Sequence, residues 1–222
     1  MQVRVPDAIT CWNENPEQVA SNPCLTSTAG WWYAYSYSYY NDYYTYVEVK
    51  LEDKWRKVDF GIGIIDESSG TSLISPNGLE VKFTVQSSGN DYAGAGIGFN
   101  FKQDYSQTED INQYGGYCIT YSSNGPILFV LTHNENLLSP DCTFEFMLPA
   151  SSSPKSVTLP FSNFVMPYWC STNVPIVDTL SETVSIKLAT EPTNSQTTPL
   201  VIEFTLHQLG WLNGGCNTNL SW

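Results

Sequence analysis

Four tyrosines, Tyr33, Tyr35, Tyr37 and Tyr39, fall on every second residue, with Ala34, Ser36 and Ser38 between them. A period of two sends alternate side chains to opposite faces of an extended strand, so the spacing predicts one face of phenol rings backed by small residues. Phenol rings are broad, rigid and apolar with a polar tip. A row of them suits the flat, hydroxyl-rimmed faces of sugar rings. The stretch runs from Gly30 to Tyr46; ten of the sixteen residues after Gly30 are aromatic, and eight of the chain's fourteen tyrosines lie there. The competing reading is an aromatic core or a Tyr-rich hairpin buried elsewhere. Tyrosine's suitability for half-wet positions, and an exposed turn predicted at Asn41-Asp42, favour a surface platform.

Bond-breaking chemistry has thinner support. Glycoside hydrolysis needs two carboxylates roughly 5–9 Å apart astride the bond. Glu145 is the clear strand carboxylate in the middle of the chain, with Glu203 and Glu80 as weaker candidates, while Asp66-Glu67 falls in a turn whose side chains diverge. A Ser-His-Asp device needs a positioned histidine. His133 and His207 lie in or at the ends of predicted strands, with no G-x-S-x-G elbow nearby. A lyase working through Tyr and His would need Arg or Lys to neutralise a uronate, and the chain has only nine basic residues. Gly94, Gly96 and Gly98 are followed by no helix start and no Lys-Ser/Thr, so strand packing explains them better than phosphate binding.

Composition bounds the rest. The 222 residues fit one domain, 1–222, able to bury a sizeable core. Charged residues are 14% of the chain and hydrophobic ones 41%, the profile of a packed, exported β protein rather than a disordered or helical one. The formal net charge of −13 argues against nucleic acid and anionic membrane surfaces as partners, whereas a neutral polysaccharide is compatible with it. No apolar run approaches a membrane span, and no signal peptide is visible at Met1–Asp7, so an export signal is expected outside this stretch. Six widely spaced cysteines (Cys11, Cys24, Cys118, Cys142, Cys170, Cys216) contain no C-x-x-C pair, which favours up to three disulfides and an oxidising compartment over zinc. Fifteen pairings are open. Cys11–Cys24 is the best single guess, because it would tie down an irregular N-terminal segment at 1–29 that carries at most a helical turn at Pro16–Ala20.

The elements that must position these residues are strands. Val47–Leu51, Trp55–Ile65, Leu79–Gln86, Ala95–Phe101, Tyr117–Tyr121, Ile127–Thr132, Thr143–Leu148, Ser156–Phe161, Thr183–Ala189 and Leu200–Leu209 read as strand-like, with a polar loop and a possible short helix at Asp104–Gln113. Turns are expected at Asp66–Thr71, Ser75–Gly78, Ser123–Pro126, Ala150–Pro154 and Glu191–Pro199. Alternation puts Phe144, Phe146, Leu148, Ile202, Phe204 and Leu206 inside, and Thr143, Glu145, Met147, Glu203, Thr205 and His207 outside. The expected fold class is all-β: an antiparallel β-sandwich, most simply a jelly roll.

Six motifs then carry a resemblance. They are G-W-W-Y-x-Y (30–35), G-x-G-I-G-F-N-F (94–101), Y-G-G-Y-C-I-T-Y (114–121), L-P-F-S-N-F (159–164), Y-W (168–169) and I-E-F-T-L-H-Q-L-G (202–210). In this order, over roughly residues 25–211, the chain resembles the β-jelly-roll carbohydrate-binding domains of plant-cell-wall-degrading enzymes in fibrolytic bacteria, and is similar to the family 11 and family 30 modules. The resemblance implies binding of β-glucans or related chains on a concave sheet face, through Tyr and Trp platforms flanked by Asp, Glu, His and Gln. It also implies a structural calcium with an acidic ligand in the last strand. This chain reads Thr205-Leu206-His207 there, and Asp7, Asn13, Glu14 and Asn15 offer oxygens without a calcium-loop spacing. No other cofactor is called for.

The expected platform is Tyr35, Tyr37 and Tyr39, with Tyr43 and Tyr44 across the turn, Tyr92 beside Asp91, Tyr121 at a strand end, and Trp169 beside Tyr168. Glu145, His133, Asp91 and Gln208 are the candidate hydroxyl partners. The expected function is a secreted, non-catalytic module for plant-cell-wall polysaccharide, a monomer or part of a larger multidomain enzyme. The alternatives are a glycoside hydrolase or lyase on the same fold, and a structural or adhesion domain with no glycan site.

Overall fold

A computed structural model describes residues 31–38, 45–51, 54–58, 65–66, 71–72, 79–86, 92–101, 107–139, 142–170, 174–190, 193–194 and 198–214. The expected N-terminal irregular segment and the Cys11–Cys24 bridge lie outside these residues. The strands are β1 (Trp31–Ser38), β2 (Tyr46–Leu51), β3 (Lys54–Val58), β4 (Ile65–Asp66), β5 (Thr71–Ser72), β6 (Leu79–Val85), β7 (Tyr92–Asn100), β8 (Gly116–Ser123), β9 (Ile127–His133), β10 (Phe144–Leu148), β11 (Ser151–Pro160), β12 (Thr183–Ala189), β13 (Thr193–Asn194) and β14 (Leu200–Trp211).

Two antiparallel sheets face each other across one core, the β-sandwich of jelly-roll type that the alternation predicts. One sheet runs β1-β7-β12-β9-β10, with β13 also pairing β7; the other runs β11-β8-β14-β6-β2-β3. From β6 onward the chain repeatedly crosses between the sheets, so strands adjacent in sequence are seldom paired. Alternation explains the layering. In β7, Ala93, Ala95, Ile97 and Phe99 are buried against the core, and the residues between them face the other way. The expected inner set of β14, Ile202, Phe204 and Leu206, is buried, as are Phe144 and Leu148 of β10, with Phe146 packed against the core.

An aromatic cluster fills one end of the sandwich. Trp211 stacks on Tyr114 with centroids 4.1 Å apart and lies 4.9 Å from Tyr117, which in turn meets Phe129 at 5.0 Å and Phe161 edge-on at 5.6 Å. Burial pushes the Tyr117 phenol well above its ordinary value. The chain enters β8 through a short 3-10 turn, Asn112–Tyr114, closed by Gly115 at φ 71°, a left-handed conformation that glycine adopts at little cost. Its Asn112 and Gln113 fall at the end of the Asp104–Gln113 loop for which a short helix is expected.

One expectation changes. Ala150–Pro154 is not a free turn: Ser151 already pairs with Ser123, and β11 runs through Pro154 with a register shift between Ser151 and Lys155. Because β11 is the edge of its sheet, the missing N–H of Pro154 breaks no inner ladder. Of the strand expected over Trp55–Ile65, the described residues give β3 and β4, whose Asp66 pairs Thr71 across the expected turn, and 59–64 lie outside the described residues.

A disulfide joins Cys142, just before β10, to Cys170, with Cα atoms 5.6 Å apart. Cys118 is also disulfide-bonded.

Trp211 is 1% exposed and touches three rings of the cluster. Trp211→Ala should therefore cost about 3–5 kcal/mol in urea unfolding, the range for truncating a buried large aromatic. A loss under ~1 kcal/mol would mean that the cluster does not hold this end together.

Candidate functional site

The β1–β7 ladder sets Tyr33 opposite Gly98, Tyr35 opposite Gly96 and Tyr37 opposite Gly94, while Ala34 sits opposite Ile97 on the core side. Directly paired antiparallel residues share a face, so the tyrosines and glycines stand together on the side away from the core. The two rings do not stand upright. A Cβ built on Gly96 would lie 2.6 Å from the Tyr35 hydroxyl oxygen and 2.9 Å from Ala189 Cβ, and one built on Gly98 would overlap the Tyr33 ring. Both rings therefore lie over β7 in space that any side chain at these glycines would take. The Tyr33 and Tyr35 centroids are 6.0 Å apart with planes at 40°.

The same register carries the face onward. Gly98 pairs Lys187, Lys187 pairs Val130, and Val130 pairs Glu145, so Tyr33, Gly98, Lys187, Val130 and Glu145 form one row across five strands. The next row reads Tyr35, Gly96, Ala189, Leu128 and Met147. At 4.7–4.9 Å per strand, each row spans roughly 19 Å. Glu145 also exchanges two backbone hydrogen bonds of 2.9 Å with Val165, which adds an exposed apolar residue at the end of the first row.

The polar groups have defined contacts. The Tyr33 hydroxyl lies 3.5 Å from Ser185 Oγ, and Thr143 Oγ1 donates to Glu145 Oε1 at 3.0 Å. Burial raises the Tyr33 phenol above its ordinary value, and the Ser185 contact offsets part of this. Lys187 Nζ sits 5.4 Å from the Tyr35 ring centroid, within cation–π range. Desolvation holds its ammonium below the usual lysine value.

The expected site residues divide. Tyr35 and Glu145 share this face. Tyr37 pairs with Gly94 and Tyr92 with Asn194 through the backbone, but their side chains are not among the described parts. Tyr39, Tyr43, Tyr44 and Asp91 lie outside the described residues. Trp169 is exposed and packs edge-on against exposed Tyr168 at 5.2 Å, on a segment that the Cys142–Cys170 bridge fastens beside β10.

Three placements correct the expectation. Tyr121 is fully buried in the core and donates its hydroxyl to the Pro149 carbonyl at 2.7 Å, so it is a packing residue. His133 is also buried, edge-on to Phe144 at 5.8 Å. Gln208 pairs Thr120 on the outer side of the other sheet, next to His207, which bonds Ser122. Ser185 and Lys187 were missed. The signal was present: in TVSIKLA the apolar Ile186 and Leu188 alternate with Ser185, Lys187 and Ala189.

The three carboxylates weighed for catalysis do not converge. Glu145 faces outward from one sheet. Glu80 and Glu203 face outward from the other, where Glu80 accepts from Lys50 at 2.9 Å and Glu203 lies 3.8 Å from Lys82. Among the described residues no group of three His, Cys, Asp or Glu side chains could hold a metal ion.

No family model matches the chain, and no curated protein matches it. Among solved structures, a family 11 carbohydrate-binding module from Clostridium thermocellum, in complex with a beta-1,3-1,4-mixed-linked tetrasaccharide, is similar at 17% identity and a TM-score of 0.44, covering 80% of this chain and 87% of that one. A family 30 carbohydrate-binding module is similar at 7% identity and a TM-score of 0.40, covering 80% and 99%. The glycoside hydrolase domain of Endo-D from Streptococcus pneumoniae R6 is similar at 11% identity and a TM-score of 0.35, covering 80% of this chain and 21% of that one. These neighbours include modules of both families that the sequence motifs resemble. The face itself, not the likeness, carries the functional reading.

Two predictions follow from the geometry. Gly98→Ala should force the Tyr33 ring off β7 at a cost under about 1 kcal/mol, because the atoms displaced are the far end of a side chain on the outer face; unchanged Tyr33 ring resonances in NMR would contradict the ring-on-glycine contact. The second concerns His133, whose pKa burial lowers from 6.5 to about 4; the Thr179 backbone acts more weakly in the opposite direction, and neither ring nitrogen completes a hydrogen bond. The unfolded chain then binds more protons between these values, so this contribution is full above pH 6.5 and is lost as pH falls toward 4. Between pH 7 and about 4.5 the loss should be on the order of 2–3 kcal/mol, and His133→Leu should flatten that part of the profile. Parallel profiles for the two proteins would remove His133 as the cause.

Proposed function

We propose that this chain is a single-domain, non-catalytic module that binds plant-cell-wall polysaccharide of β-glucan or xylan type on the outer face of the β1–β10 sheet. The observation that carries the reading is the pair Tyr33 and Tyr35, laid on the side away from the core over Gly98 and Gly96. Aromatic rings spent on a core would be buried among apolar side chains, as Tyr117 and Tyr121 are; these two are half-buried with polar neighbours.

A polymer chain lying across the strands would meet apolar ring surface at β1, a glycine floor at β7 and a hydroxyl partner at Glu145. Exposed Trp169, at the β10 margin, would lengthen the platform. Tyr37, Tyr39, Tyr43 and Tyr92 would add stacking partners, and Asp91 a further hydroxyl partner. Such a module works by holding an attached enzyme or the cell against the substrate, outside the cell, where disulfides such as Cys142–Cys170 persist. Three or four stacking contacts with hydrogen bonds correspond to micromolar affinity.

Isothermal titration against soluble β-glucan, xylan and mannan tests this. One of these should bind, and Tyr33→Ala and Tyr35→Ala should each weaken that binding by ~1 kcal/mol, about fivefold, with unfolding midpoints near that of the parent. Silent titrations with every glycan, or affinities untouched in both variants, would sink the proposal.

A further inference from the structure

Lys187 is the part of this face that stacking alone leaves unexplained. Two lysines on the opposite sheet have acidic partners: Lys50 meets Glu80 at 2.9 Å, and Lys82 lies 3.9 Å from Glu48, 3.8 Å from Glu203 and 4.1 Å from the Trp55 centroid. Lys54, Lys57 and Lys155 are exposed to water. Lys187 is set into the surface beside Tyr35, on the middle strand of five, and among the described residues no carboxylate lies within ion-pair range of it. An ammonium drawn out of water without a counter-charge costs free energy, and one tyrosine ring offsets only part of it. In a chain with nine basic residues against twenty-two acidic ones, leaving one cation so placed is conspicuous.

We infer that Lys187 anchors a carboxylate of the bound glycan, so that the face prefers a polysaccharide bearing uronate units to a wholly neutral one. This rests on the glycan-binding reading above and specifies its substrate class. The row spacing sharpens it. Glu145 follows Lys187 two strands on, roughly 9–10 Å away between backbones, too far to neutralise it and near enough to repel a second carboxylate. Tyr33 and Gly98 on the other side offer a flat apolar surface. The pattern fits isolated uronates along an otherwise neutral chain, with the acid on β12 and neutral units over β1 and β9–β10. The chain's net charge of −13 opposes polyanions at long range, but salt screens that field within about 8 Å while a contact pair survives.

The test uses matched polymers: glucuronoxylan, and the same glucuronoxylan after chemical reduction of its carboxyl groups, in affinity gel electrophoresis. The parent protein should bind the native polymer about tenfold tighter than the reduced one. Lys187→Met should bind both alike, at the level the parent shows for the reduced polymer, and Lys187→Arg should keep the preference. Equal binding of the two polymers by the parent, or a preference that survives in Lys187→Met, would overturn the inference while leaving glycan binding in place. Failure of the parent to bind either polymer, or neutral β-glucan, would remove both. Matching urea midpoints for parent and Lys187→Met separate lost recognition from lost folding.

Discussion

A tyrosine ring can lie flat on a β-sheet only where the next strand leaves its path empty. In this protein that condition is met twice in register, by Gly96 under Tyr35 and Gly98 under Tyr33. Glycine weakens a strand through its backbone entropy and lack of packing. Here the tyrosine rings return the lost contact from the neighbouring strand, while Ile97 and Phe99 hold the other side of β7 in the core. The two-residue periods of β1 and β7 are complementary: large against nothing on the outer face, small against large on the inner one. The width of the aromatic surface, the reach of Tyr33 to Ser185 and the seat of Lys187 beside Tyr35 all depend on that match.

The two outer faces of the sandwich then differ in kind. On the β11–β3 sheet the register sets Lys57, Glu48, Lys82 and Glu203 in one row, with alternating sign. Each charge has an opposite neighbour, and Lys82 also caps the Trp55 ring. Within that row the charges are balanced, and such solvated pairs contribute modestly to stability. The β1–β10 face carries rings, glycines, small hydroxyls and one cation whose matching charge is absent among its described neighbours. A surface that satisfies itself has little to offer a ligand; the other has aromatic area and a charge still open.

Much of the fold was legible in the residues because β-structure writes itself with a period of two. LEVKFTVQ, FEFML and IEFTL each declare an inner and an outer set, and the buried residues follow them. Alternation fixes parity, however, and not which of two sheets a strand joins. Gln208, which strict alternation after His207 would turn inward, reaches the outer side through the register shift between Leu206 and Gln208. Tyr121 and His133 fall on inward positions of β8 and β9, in step with Tyr117 and Ile119 and with Ile127, Phe129 and Leu131, and they pack on Phe204 and Phe144. The tyrosine ladder could be read from β1 alone. Its glycine counterpart could not be matched to it before the pairing was known, because the two strands lie about sixty residues apart. Lys187 was hidden for the same reason: within TVSIKLA it is one polar residue on an amphipathic strand, and its meaning comes from β1, two strands away.

Backbone amide NMR during titration with glucuronoxylan oligosaccharides puts the central claim to the most direct test. Saturable shifts should gather at Tyr33, Tyr35, Gly96, Gly98, Ser185 and Lys187, with Glu48, Lys82, Glu203 and His207 on the opposite sheet left in place. Shifts centred on that opposite sheet, or none at the tyrosine–glycine ladder while the oligosaccharide binds, would contradict the account.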